Sequence, residues 1–281
     1  MRKWPALVVF ALAPLALAQT QAQHDDGTDE EEPSASASVL PPPVVAPHAV
    51  VQKDGMVLVT GGRFTMGSNA PKAAPNEKPV HEATVESFWI DRTEVTVADY
   101  RACVAVGACE APQKTSPSCT YEMGDDRLPV NCVRWQDADT FCRAAHERLP
   151  KETEWELAAR GGGALKYPWG NGASSCLAAA TLLHDGTGRS CTGKRPARVG
   201  SYAANVSPFG ALDMAGNVEE WTASWYVEHT ASGARPTSGA SHVLRGGGWM
   251  SRPIDARTTA RNWGSSVEAG PNVGFRCARD P

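Results

Sequence analysis

Arg148-Leu149-Pro150-Lys151-Glu152-Thr153-Glu154-Trp155-Glu156 leads into a short helix, read from Glu152 to Arg160 and closed by Gly161. Two further helices are expected upstream. Thr96, with Asp99 three residues on, has the form of an N-cap, and the helix it starts runs through Val106 to Gly107. Trp135 to Ala145 carries apolar residues at helical spacing. Earlier still, the chain alternates as strands do. Met56-Val57-Leu58-Val59 is followed by a Gly61-Gly62 turn and by Phe64 and Met66, and a longer strand pattern covers Ala83 to Ile90. After residue 161, Gly, Pro, Ser and Asn punctuate short apolar pieces, and no helix is expected. The expected class is α+β: short helices on small, irregular sheets joined by long loops. No fixed-period repeat points to a propeller or solenoid.

The ends of the chain read differently. Arg2 and Lys3 precede an apolar run from Ala6 to Leu17, with Ala16-Leu17-Ala18 as the small-residue exit, so residues 1–18 have the form of a secretory signal peptide. The run, interrupted by Pro14, falls short of the ~20 apolar residues that span a bilayer. An exported protein (periplasmic, cell-envelope or secreted) with no membrane span is expected. Residues 19–52, with an acidic run from Asp25 to Glu32, a Ser/Ala stretch and Pro41-Pro42-Pro43, read as a disordered tether ahead of one domain over 53–281. The whole chain carries −4, residues 1–18 carry +2 and residues 19–52 carry −6, which leaves the domain neutral. A neutral domain has no net field to draw it onto phosphate backbones, so nucleic acid is set aside as a partner. Eight cysteines in an exported chain most simply form four disulfides, and sequence alone allows 105 pairings of eight. No C-x-x-C occurs, and no His stands at zinc-finger spacing from a cysteine pair. The seven His form no spaced metal pair and are read as surface or loop residues.

Seven stretches, in order, resemble the formylglycine-generating enzyme (sulfatase-modifying factor) family. Gly61-Gly62-Arg63-Phe64-Thr65-Met66-Gly67-Ser68 is similar to its G-G-x-F-x-M-G, and Phe88-Trp89-Ile90-Asp91-Arg92-Thr93-Glu94-Val95-Thr96 to its F-x-[ILM]-D-x-x-E-V-T. Pro129-Val130-Asn131-Cys132-Val133-Arg134-Trp135 resembles P-V-x-x-V-x-W, and the opening stretch at Arg148 resembles R-L-P-T-E-A-E-W-E. Asp213-Met214-Ala215-Gly216-Asn217-Val218-Glu219-Glu220-Trp221 looks like D-M-x-G-N-V-x-E-W. Arg245-Gly246-Gly247-Gly248-Trp249 and Val273-Gly274-Phe275-Arg276-Cys277 close the domain. The resemblance implies a variant of the C-type lectin fold, loop-rich and stapled by disulfides. It pairs Cys142 with Cys277. Cys176 and Cys191 bracket one loop and Cys103 and Cys109 flank one turn, which leaves Cys119 with Cys132.

The family's oxidases convert a protein cysteine in a C-x-P-x-R stretch to formylglycine with copper and oxygen. They hold Cu(I) through a C-x-x-x-x-C pair, because a soft ion prefers thiolate. Counting from Arg245 places Ser251 and Ala256 at those positions, and no cysteine lies between Cys191 and Cys277. Copper is therefore not expected. Structural calcium is: the resemblance maps its ligands onto the side chains of Asp213 and Glu220 and the carbonyls of Gly216 and Val218, a hard-oxygen set of the kind Ca²⁺ takes. A second calcium position would fall near Asp185, in a stretch that departs from the family pattern. The tryptophans within the motifs, among them Trp135, Trp155, Trp169, Trp221 and Trp249, are expected to brace the core. The expected function is a catalytically degenerate, calcium-stabilised binding module for a protein or glycan. The alternative is an oxidoreductase of the formylglycine-generating type acting through another site.

Overall fold

The computed structural model describes residues 50–183, 187–228 and 237–281. Residues 1–49, which carry the expected leader and most of the expected tether, and Asp185 lie outside the described residues. The chain opens on β1 (Gln52–Lys53), β2 (Met56–Val59), β3 (Gly62–Met66), β4 (His81–Val85) and β5 (Phe88–Asp91). Three helices follow: α1 (Val97–Ala105), α2 (Trp135–Ala144) and α3 (Glu152–Arg160). The C-terminal part adds β6 (Glu219–Trp225), β7 (Ser241–Arg245), β8 (Arg261–Ser265), β9 (Val273–Gly274) and β10 (Ala278–Arg279). Sheet order is β1-β2-β5-β10, a β3-β4 ribbon, and β8-β7-β6-β9. β10 pairs antiparallel with β5, which returns the C-terminus to the first sheet. Among the described residues no helix is long and apolar enough to cross a membrane.

Two expectations of the sequence are corrected. The Ala83–Ile90 pattern is two strands in two sheets, broken at Glu86 and Ser87, where the Gly61 amide donates to Ser87 Oγ at 3.0 Å. Residues assigned to the tether also belong to the fold. The Leu58 amide donates to the Val51 carbonyl at 2.9 Å, and β1 begins at Gln52.

The helices form where the chain supplies caps. The Asp99 amide donates to Thr96 Oγ1 at 3.1 Å, and the Thr96 amide returns a bond to Asp99 Oδ2 at 3.3 Å. α3 ends at Gly161, whose φ of 65° a glycine adopts without Cβ strain. One core gathers Val57, Val59, Phe88, Ile90, Trp155 and Met214 against α3. A second packs Val95, Tyr100, Phe141, Trp221, Leu244 and Phe275 between α1, α2 and the third sheet. The disulfides Cys103–Cys109, Cys119–Cys132, Cys142–Cys277 and Cys176–Cys191 join the pairs named above, and no cysteine is free.

α3 is also the electrostatic hub. Each of its glutamates meets an arginine from elsewhere in the chain. Glu152 takes Arg261 (2.5 Å), Glu154 takes Arg148 (2.7 Å) and Glu156 takes Arg245 (2.5 Å). Buried charges are tolerated only when paired and hydrogen-bonded, so the Arg245 and Arg261 pairs fix where the 245–261 segment lies against α3. The tryptophans brace as expected. The indole N–H groups of Trp135, Trp221 and Trp249 donate to the carbonyls of Thr222, Val133 and Pro271, and Trp169 stacks on Tyr167 at 4.8 Å.

Candidate functional site

The 213–220 stretch builds a buried carboxylate centre. Asp213, Gly216 and Asn217 all adopt positive φ (57°, 84° and 66°), which winds the turn tightly. At Gly216 a Cβ would lie 2.5 Å from the Ala180 carbonyl oxygen, so only glycine fits. The turn brings Asp213 and Glu220 together with Glu94 and Arg276, all four buried. Arg276 meets Glu220 through two bonds of 2.7 Å, and Trp155 Nε1 donates to the same carboxylate at 2.7 Å. Asn217 donates to Glu94 Oε1 at 2.9 Å, and the Gly200 amide to Asp213 Oδ2 at 2.5 Å. Asp213 Oδ1 and Glu94 Oε2 are buried without a donor.

Three carboxylates thus face one guanidinium. Burial first, and then the neighbouring Asp213, push the Glu94 carboxyl well above the usual carboxylate range. Burial likewise raises Asp213 to about 6. Asp213 and Glu94 lie within hydrogen-bonding reach of each other. Two facing acceptors require a shared proton or a cation between them. The orphaned oxygens and the excess negative charge fit a hard divalent cation. Of the expected ligands, Asp213 offers a free oxygen, whereas Glu220 is already held by Arg276. Glu94 and Arg276 were missed by sequence reasoning, although both sit inside quoted motifs. Among the described residues, the one trio of His, Cys, Asp or Glu ligand atoms lying within 4.8 Å of one another is Asp91, Glu147 and Cys277. Cys277 is tied to Cys142, so it supplies no thiolate there.

The second centre is a cleft of about 230 Å³ between the 245–262 segment and the Ala74–Glu77 turn. Ser251 lines it, whereas Ala256 is buried with Tyr167 and Ala215. Ser251 Oγ accepts from the Gly248 amide (3.0 Å) and from Asn272 Nδ2 (3.1 Å). The Met250 amide donates to Asn272 Oδ1 at 3.0 Å. A Cβ at position 248 would collide with the Asn272 side chain, so Gly248 makes the room that Asn272 fills. Glu219, buried and raised above the usual carboxylate range by burial, accepts from Asn262 Nδ2 at 3.0 Å and from Asn272 Nδ2 at 3.4 Å. The Cu(I) fit fails on chemistry: one position is a hydroxyl, the other a packed methyl, and all eight cysteines are in disulfides.

One histidine departs from expectation. His242, read as a surface or loop residue, is buried on β7 and stacks between Trp135 (3.9 Å) and Trp225 (3.8 Å). Burial lowers its pKa to about 4, so the ring is neutral. His24, His48, His184 and His229 lie outside the described residues.

A family model described as the sulfatase-modifying factor enzyme 1-like domain matches residues 41–281. The formylglycine-generating enzyme of Streptomyces coelicolor is 31% identical, over 88% of this chain and 95% of the relative. The inactive C-alpha-formylglycine-generating enzyme 2 of Mus musculus is 32% identical, over 81% of this chain and 86% of the relative. Other curated relatives are longer, and the chain spans 38–61% of the length of three of them. Among solved structures, PvdO from Pseudomonas aeruginosa superposes with a TM-score of 0.67 at 29% identity, covering 80% of this chain and 94% of that one.

Proposed function

We propose that this chain, which belongs to the sulfatase-modifying factor enzyme family, is a member without copper oxidase chemistry that acts outside the cytoplasm as a calcium-stabilised binding module. One observation carries the reading: the two positions where the family's oxidases hold Cu(I) are Ser251 and Ala256, and every cysteine is consumed in a disulfide. A two-thiolate site needs both sulfurs, and neither hydroxyl nor methyl replaces a soft ligand. One relative is named a formylglycine-generating enzyme and another an inactive one, so membership alone assigns neither role. The four disulfides support an oxidising, exported location.

Calcium would be held by Asp213 and the carbonyls of Gly216 and Val218, with Glu94 as an added carboxylate and Glu220 shared with Arg276. The support is the pair of donorless buried oxygens on Asp213 and Glu94. Bound there, calcium would supply the positive charge this centre lacks. A Cu(I) competition titration against bathocuproine tests the copper half. The protein should leave the chelator's colour unchanged, and withdrawal of one equivalent of Cu(I) would contradict the proposal.

A further inference from the structure

The cleft at Ser251 is walled by carboxylates, and all but one has a guanidinium of its own. Glu77 is bound by Arg257 at 2.6 Å, Asp255 by Arg252 at 2.8 Å, and Glu152, beside the cleft, by Arg261 at 2.5 Å. Glu219 differs. Its side chain lines the cleft and is 7% exposed, yet among the described residues it forms no ion pair with Lys, Arg or His. Its partners are two neutral amides. Asn262 Nδ2 reaches both of its oxygens, at 3.0 and 3.3 Å, and Asn272 Nδ2 reaches one at 3.4 Å. These bonds aim the carboxylate without neutralising it. Burial disfavours the ionised carboxylate, and a counter-charge beside it is what holds it ionised.

The rest of the cleft indicates the shape of that counter-charge. Ser251 Oγ already accepts two hydrogen bonds, from the Gly248 amide and from Asn272, which leaves its O–H as a donor. Asn272 bridges Ser251 and Glu219, so donor and carboxylate are held in fixed relation. At about 230 Å³ the cleft is smaller than the roughly 300–1,000 Å³ of a drug-sized site. It accommodates a few heavy atoms rather than an oligosaccharide. A guanidinium would have to compete with the arginines already lining the walls, whereas an ammonium is a compact point charge.

We infer that the Glu219–Asn272–Ser251 cleft binds an alkylammonium group, with Glu219 as its counter-ion and Ser251 as a hydrogen-bond donor to an adjacent acceptor. The ammonium comes either from a small free amine or from a lysine side chain of a partner. This inference rests on the binding-module reading and narrows its ligand. The chain itself supplies every recognition group, and no bond is made or broken.

The test is isothermal titration of the full chain, purified with its disulfides intact, against four probes. These are n-butylamine, n-butanol, Nα-acetyl-lysine methylamide and Nα-acetyl-norleucine methylamide. Each cation should bind, and its neutral isostere should bind about ten- to hundredfold more weakly, the range expected of a charge-assisted bond. Glu219→Gln, which keeps shape and loses charge, should weaken both cations by the same factor. A stronger lysine probe assigns the ammonium to a protein partner; a stronger butylamine assigns it to a free amine. Equal binding of cation and isostere by the wild type overturns the inference, and that comparison holds whether or not the variant folds. Unchanged affinity in a folded Glu219→Gln variant overturns it as well. Amine binding by a protein that also oxidises a C-x-P-x-R peptide would sink the binding-module reading and leave the amine site standing. A protein inert toward both would do the reverse.

Discussion

Arg276 bonds Glu220 and is the cation whose charge Glu94 and Asp213 also feel, and much of the carboxylate centre depends on it. Arg276→Met should cost about 3–5 kcal/mol in urea unfolding, because it strands buried charge rather than merely deleting a contact. A loss under about 1 kcal/mol would mean the centre is not charged as described. Asp213 sets a pH dependence of definite sign. Its pKa is raised from 3.8 to about 6, so the fold favours its protonated form. That contribution is present below about pH 4 and is lost, by roughly 3 kcal/mol, as the pH rises through about 6. In the presence of chelator, Asp213→Asn should therefore gain on the wild type between pH 4 and pH 7. Calcium, which takes the ionised carboxylate, should reverse that order at pH 7. A wild-type melting curve indifferent to millimolar calcium would remove the ion from the account. Counting from Arg245 pointed to Ser251 and Ala256, and of the two only Ser251 lines the cleft. Glu219 was not legible, because it occupies an unassigned position of its motif. Glu219 and Glu220 are neighbours that serve different centres, and the alternation of a strand separates them. That consequence became visible only once β6 was known to be a strand.

Helices were legible at the scale of elements because their signals are local. Thr96 with Asp99 marks the start of α1, and Gly161 the end of α3, in the sequence as in the structure. The third sheet was missed although β6, with 7 residues, is the longest strand described, because its pairing with β9 is long-range. β6 pairs in parallel with β9, Glu219 lying opposite Val273. No periodicity within a window of a dozen residues reports such a contact. The Ala83–Ile90 pattern was misjudged for a related reason: alternation continues through a corner that only Ser87 and the Gly61 amide define. The disulfides differ by the span of chain each one closes. Cys142–Cys277 spans 135 positions and Cys103–Cys109 spans 6. Replacing the first pair by alanines should cost about 4–5 kcal/mol and the second distinctly less, if restriction of the unfolded chain dominates. Equal losses in guanidinium unfolding would show that native packing dominates instead.

For the whole molecule, the sheets and α3 form a frame on which the loops are pinned by ion pairs. The pairs Arg245–Glu156 and Arg261–Glu152 set the 245–261 segment against the helix, so the cleft is built on a fixed wall. The family could be read from seven ordered stretches because those stretches are the hubs of this frame: α3, the 213–221 turn and the β9–β10 return. The ligand could not be read, since a family scaffold is shared among different activities. We propose that this scaffold lacks copper oxidase chemistry. The most direct test is mass spectrometry of a C-x-P-x-R peptide incubated with the protein, Cu(I) and oxygen. The peptide should keep its mass. Conversion of its cysteine to the aldehyde, above a control without protein, would contradict the proposal.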